Sequence, residues 1–160
     1  GFFRLAPGKE VRLKHAYIIK CKDAVKDADG NVTQLVCTVD MASRGGDAPD
    51  GRKIKGTLHW VWAGDAVRSK VNLYGNLFTL RNMADMAPDK DYKDYLDPNS
   101  VVVAEDALVE PCLAQAKPLD KFQFLRHGYF CADTDTTPAH PVFNLTVSLK
   151  DSWGREQKKQ

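Results

Sequence analysis

Apolar and polar residues alternate along much of the chain, and no stretch sustains the 3.6-residue period of an amphipathic helix. Residues 10–20 alternate and are rich in Val, Ile and Tyr, which predicts a strand. Asp27–Thr33 contains Asp29-Gly30, a tight hairpin signal, and leads into a second strand over Gln34–Val39. A Gly-, Asp- and Pro-containing loop over residues 42–53 precedes strands at Thr57–Ala63 and Ala66–Tyr74. The latter sets Val67, Val71 and Leu73 against Arg68, Lys70 and Asn72, as a half-buried strand requires. Residues 81–99 are polar and Asp-rich and leave room for one short helix, around Asp91–Leu96. Ser100–Ala104, Phe122–Phe130 and Val142–Leu149 complete the strands, and Arg155–Gln160 forms a polar tail expected to fray. Short strands at regular spacing with turn signals predict an all-β barrel or sandwich.

Three of these segments carry polar side chains suited to recognition. In Lys121–Asp133 the alternation turns Phe122 and Phe124 inward and Lys121, Gln123 and Leu125 outward, with Arg126 at the strand's end before Gly128 breaks the period. Gln and Arg can each read a base edge with two hydrogen bonds. An ordinary strand with a solvated face has the same pattern, so this segment alone leaves both readings open. Leu5–Lys20 and Asp50–Val61 are further strand-like segments with basic stripes.

Charge adds a distribution rather than a sum. The 160 residues hold 23 Lys+Arg against 21 Asp+Glu, so no polyelectrolyte argument for nucleic acid applies to the whole chain. Residues 1–20 nevertheless carry five basic side chains (Arg4, Lys9, Arg12, Lys14, Lys20) and one acid. Residues 51–70 carry five more (Arg52, Lys53, Lys55, Arg68, Lys70) and again one acid, whereas residues 83–110 hold eight acids and two lysines. Such a division allows a positive face toward a phosphate backbone.

Other chemistry finds little support. Cys21, Cys37, Cys112 and Cys131 lack metal-ligand spacing, which argues against zinc. With no signal-like or membrane-length apolar run, free thiols in a reducing cytoplasm are expected and no membrane association. Cys37, His59 and Asp40 can be assembled on paper as a nucleophile, base and acid, a set that chance supplies in a chain of this length. Asp133 and Asp135 read as a solvated turn rather than a cation site, and no catalytic or metal-binding residue is assigned. His59 and Trp60 are expected in the core.

Taken in order, the motifs Gly8-Lys9-Glu10-Val11-Arg12-Leu13-Lys14-His15-Ala16-Tyr17, Gly51-Arg52-Lys53-Ile54-Lys55-Gly56-Thr57-Leu58-His59-Trp60 and Phe122-Gln123-Phe124-Leu125-Arg126-His127-Gly128-Tyr129-Phe130 with Asp133 resemble the C-terminal anticodon-binding region of glutaminyl-tRNA synthetases. Pro141–Asp151 is similar to that family's closing strand, and the resemblance runs from about Arg4 to Trp153. It implies two β-barrels of the ribosomal protein L25 type: a distal one over residues 8–80, part of a proximal one over 98–153 whose opening strands lie upstream, and a tail over 154–160. It further implies that Arg4 holds a G at the third anticodon base, that Arg12 and Lys14 contact the first base and its phosphates, and that Gln123 and Arg126 line the pocket for the middle U. Lys53 and Lys55 are candidate phosphate contacts, with a solvated basic hairpin as the other reading. Phe3 stands where the family often has Lys, and Lys14 where Arg is common, which replaces a fork by a point charge.

The implied partners are glutamine tRNA and the catalytic domain of the same chain, with no DNA and a monomeric state. The class I His-x-Gly-His and Lys-Met-Ser-Lys-Ser signatures are absent, so no cofactor is expected on these residues; ATP and Mg²⁺ would belong to the parent enzyme. Two alternatives share the barrels: an archaeal or eukaryotic-type glutamyl-tRNA synthetase and a stand-alone L25-like rRNA-binding protein. Gln123 between two phenylalanines, with Arg126, argues for glutamine.

Overall fold

A computed structural model describes residues 4–149, so Phe3 and the segment from Lys150 through the polar tail lie outside the described residues. The architecture is all-β, in two compact units, Gly1–Trp60 and Val61–Gln160. The first contains β1 (Glu10–Leu13), β2 (Ile18–Lys26), β3 (Val32–Asp40) and β4 (Thr57–Leu58) in the order β3-β2-β1-β4. β1 runs antiparallel to β2 and parallel to β4. Among the described residues Val11, Ile18 and Cys21 are its buried apolar side chains, joined by Ser43, whose hydroxyl accepts from Ile18 N (2.8 Å) and donates to Asp40 O (2.6 Å).

The β2–β3 turn follows the Asp-Gly signal. Asp27 accepts hydrogen bonds from Asn31 N (2.8 Å) and Asp29 N (3.0 Å), which hold its carboxyl below the usual range, and Gly30 supplies a φ of 83°. The run over 10–20, expected as one strand, is two. It reverses at Lys14–Ala16, where Ala16 N donates to Leu13 O (3.0 Å) and His15 takes a φ of 60°.

The second unit contains β5 (Val67–Tyr74), β6 (Val101–Val109), β7 (Lys121–Phe124), β8 (Gly128–Ala132) and β9 (Val142–Ser148) in the order β6-β5-β9-β8-β7. β5 and β9 are parallel and the other neighbours antiparallel. Its core is larger: Val71, Val109, Leu113, Phe130, Ala132 and Phe143 are buried, with Phe122 and Phe124 packed on them. The Phe124 and Phe130 rings stack at 4.3 Å, and Phe143 meets Phe124 and Phe122 edge-on at 5.3 and 5.8 Å.

The units divide between Trp60 and Val61, whereas the expected distal barrel extended to residue 80. Alternation marked Val67–Tyr74 as a strand but not its partners, and it pairs with β6 and β9 of the second unit. The strand expected over Thr57–Ala63 shrinks to two paired residues because β1, its neighbour among the described residues, stops at Leu13. The expected short helix is a 3₁₀ turn, Tyr92–Tyr95, closed by a reciprocal Asp91–Asp94 capping box. No helix of the described residues is long and apolar enough to cross a membrane.

Candidate nucleic-acid interface

In the first unit Arg4 is exposed on the segment leading into β1. That segment is tied to β2 by Gly8 N to Cys21 O (2.9 Å) and Cys21 N to Lys9 O (3.0 Å). Arg12 lies on β1, its Cα opposite Ile18 and Thr57. Its side chain is half-buried: Nε donates to Gly46 O, and Nη2 is 3.6 Å from Asp47 Oδ1. Lys14 was expected two positions along the same strand face, but the strand has already ended and Lys14 belongs to the following turn. That turn is held by Lys14 N to Leu58 O (2.9 Å) and by the Trp60 indole donating to Lys14 O (3.0 Å).

Trp60 is 41% exposed and His59 is exposed too, contrary to the expected core placement. The pairing of β4 with β1 ends at Leu58, and the Trp60 indole finds its acceptor at the rim. Lys53 and Lys55 are exposed on either side of half-buried Ile54. Their neighbour Arg52 is held by three carboxylates: Nη2 to Asp40 (2.6 Å), Nη1 to Asp50 (2.8 Å) and Nε to Glu10 (3.1 Å). These hydrogen bonds, Asp40's foremost, raise the Arg52 pKa further, and the Arg52 backbone N–H and guanidinium lower that of Asp50. Of the three basic residues in this motif, Arg52 is therefore a clasp and the two lysines face solvent.

Asp40, engaged in that clasp and accepting from Ala42 N (3.1 Å), is no orienting acid for a cysteine–histidine pair. Burial, with Cys21 across the ladder, pushes the Cys37 thiol pKa up, away from nucleophile chemistry.

In the second unit Phe122 and Phe124 point into the core, so Gln123 faces outward and is exposed. Opposite it on β8 stands Tyr129, 47% exposed, which the sequence reading passed over although the inward Phe130 beside it dictates its direction. Arg126 was expected at the end of a continuous strand. It sits instead in the Leu125–His127 turn of a β7–β8 hairpin, exposed, with a φ of 70°. His127 N donates to Phe124 O (2.9 Å) to close that turn. Gly128 follows because a Cβ there would lie 2.5 Å from Val147 O. The hairpin thus brings Gln123, Tyr129 and Arg126 to one end of the sheet.

Asp133 accepts from Asp135 N (2.9 Å) and from the Asn144 amide, contacts that lower its pKa and make it part of a turn. Asn144 in turn accepts from Asn72 Nδ2 (2.7 Å), linking β5, β9 and the end of β8. Among the described residues no group of three or more His, Cys, Asp or Glu is arranged to hold a metal ion.

Within the second unit, an outward amide on a rigid strand beside an exposed aromatic suits unpaired RNA bases, and within the first, exposed lysines suit phosphates. Two family profiles, both described as tRNA synthetases class I (E and Q), anti-codon binding domain, match residues 2–40 and 57–133. The chain belongs to this anticodon-binding domain family. It is 47% identical to the glutamine–tRNA ligase of Nitrobacter hamburgensis over 155 residues, 96% of this chain and 27% of that protein. It is similarly 47% identical to that of Stutzerimonas stutzeri, over 97% of this chain and 28% of the ligase. The relative from Bradyrhizobium diazoefficiens, also a glutamine–tRNA ligase, is 42% identical over 99% of this chain and 28% of its own length. The chain therefore spans little more than a quarter of the curated relatives it matches.

Proposed function

We propose that this chain reads the anticodon loop of glutamine tRNA for a cytoplasmic glutamine–tRNA ligase, whose catalytic domain uses ATP and Mg²⁺ to esterify glutamine to the tRNA. The observation that carries the proposal is the β7–β8 hairpin, which exposes Gln123 opposite Tyr129 and lifts Arg126 on its turn. A Gln amide both donates and accepts, as the edge of the middle U requires, and a guanidinium supplies donors to a neighbouring acceptor. In the first unit exposed Arg4 suits the paired acceptors of a G at the third base, while Arg12 and Lys14 serve the first base and its phosphates. Lys53 and Lys55 are offered to phosphate.

The reading is tested by titrating the full-length ligase with the anticodon stem-loop of glutamine tRNA at rising salt. Affinity should fall steeply with salt while preference over an unrelated stem-loop persists. Salt-independent binding, or equal binding of both RNAs in moderate salt, contradicts it.

A further inference from the structure

The 41–56 loop between β3 and β4 is anchored to its sheet and also to one basic side chain. Arg52 ties its far end to Glu10 and Asp40. Near its start Gly46 N donates to Ser43 O (2.8 Å), and Ser43 is itself bonded to the β2 backbone at Ile18. Gly46 is buried with a φ of 98°. Its carbonyl accepts from Arg12 Nε. A Cβ at Gly46 would meet only Arg12 as its three nearest heavy atoms, Cδ at 2.8 Å, Cγ at 3.0 Å and Nε at 3.2 Å. The glycine thus leaves the room that the Arg12 stem fills and supplies the acceptor that fixes its head.

We propose that Gly46 is a positioning residue that sets the direction of Arg12 toward RNA, an inference resting on the reading of Arg12 as an RNA contact. With Nε held by the loop, the remaining Nη edge is oriented before RNA arrives, which reduces the ordering cost of binding. Nη2 lies 3.6 Å from the fully exposed carboxylate of Asp47, a contact that solvent weakens and that an RNA oxygen can replace. Gly45 provides the control. It also has a positive φ, 92°, but nothing lies within 4 Å of a Cβ built there. Alanine at Gly45 therefore imposes left-handed backbone strain without touching Arg12.

The test measures stem-loop affinity and thermal midpoint of the full-length ligase for Gly45→Ala, Gly46→Ala, Arg12→Ala and the Gly46→Ala/Arg12→Ala pair. Gly46→Ala should weaken RNA binding about tenfold, the size of a lost hydrogen bond to a charged group. Gly45→Ala should leave affinity near wild type, and the pair should bind no worse than Arg12→Ala alone. Equal weakening by both glycine substitutions, or a further loss from Gly46→Ala on top of Arg12→Ala, overturns the positioning role. An Arg12→Ala variant that binds like wild type overturns the reading of Arg12 as a contact, and the inference with it. If Gly46→Ala does not fold, the pair decides through its melt. Recovery toward the Gly45→Ala midpoint supports the packing of Arg12 on Gly46, and no recovery overturns it.

Discussion

The two units carry the side chains proposed to face RNA on differently built supports. In the first, the described buried apolar residues Val11, Ile18 and Cys21 are supplemented by a polar framework. Arg52 joins Glu10, Asp40 and Asp50, Ser43 bridges β2 to the end of β3, and Gly46 holds Arg12. In the second, a phenylalanine cluster beneath β7, β8 and β9 forces Gln123 and Tyr129 outward by alternation alone. The contrast teaches that a recognition residue can be aimed from below by packing or from the side by hydrogen bonds. The first kind resists salt and is lost with core volume. The second is sensitive to salt and to single glycines.

The largest effect should come from the core of the second unit. Phe143→Ala removes the ring that both Phe122 and Phe124 meet edge-on and should cost about 3–5 kcal/mol of that unit's stability, read by denaturant unfolding. A loss below about 1 kcal/mol would mean the aromatic cluster does not support β7 as described. Arg52→Ala should lower the thermal midpoint of the first unit in dilute buffer by leaving three carboxylates facing one another, and the gap to wild type should narrow in molar salt. A gap unchanged by salt would replace the ionic clasp with side-chain packing.

A smaller, pH-dependent effect belongs to Asp133. Its carboxyl pKa is depressed in the fold, so its stabilisation is complete above the ordinary carboxylate value and is lost as pH falls through the depressed one. Asn144→Ala removes one of the donors responsible and should move the Asp133 titration, followed by NMR, upward toward the unfolded value. The smallest effect on discrimination should come from Lys53→Ala. It should weaken every stem-loop about equally and flatten the salt dependence by roughly one unit, as removal of a single phosphate contact does.

Much of this was legible in the chain. Period-two alternation located the strands, Asp29-Gly30 located one hairpin turn, and the Phe-Gln-Phe pattern gave the outward direction of Gln123. Two reversals were hard to place, because their left-handed positions are filled by His15 and Arg126 rather than by glycine or asparagine; at the second, Gly128 breaks the alternation without showing that the chain turns over Leu125–His127. The division at Trp60 was hidden for another reason. Alternation specifies that Val67–Tyr74 is a strand, but only tertiary pairing decides which sheet receives it. The Arg52 clasp and the Gly46–Arg12 contact join residues 42 and 34 positions apart, and a basic motif read locally cannot distinguish a clasped arginine from one offered to RNA.

The central claim is that Gln123, aimed outward by the phenylalanines beneath it, reads the middle anticodon base. The most direct measurement is a cycle in the full-length ligase: wild type and Gln123→Ala, each titrated with glutamine tRNA and with a tRNA changed only at the middle base. The account predicts that Gln123→Ala removes about 1–3 kcal/mol of discrimination, by weakening the cognate tRNA while leaving the swapped one nearly unchanged. Equal weakening of both tRNAs, with discrimination intact, would contradict it and reduce Gln123 to a polar residue on a solvated strand.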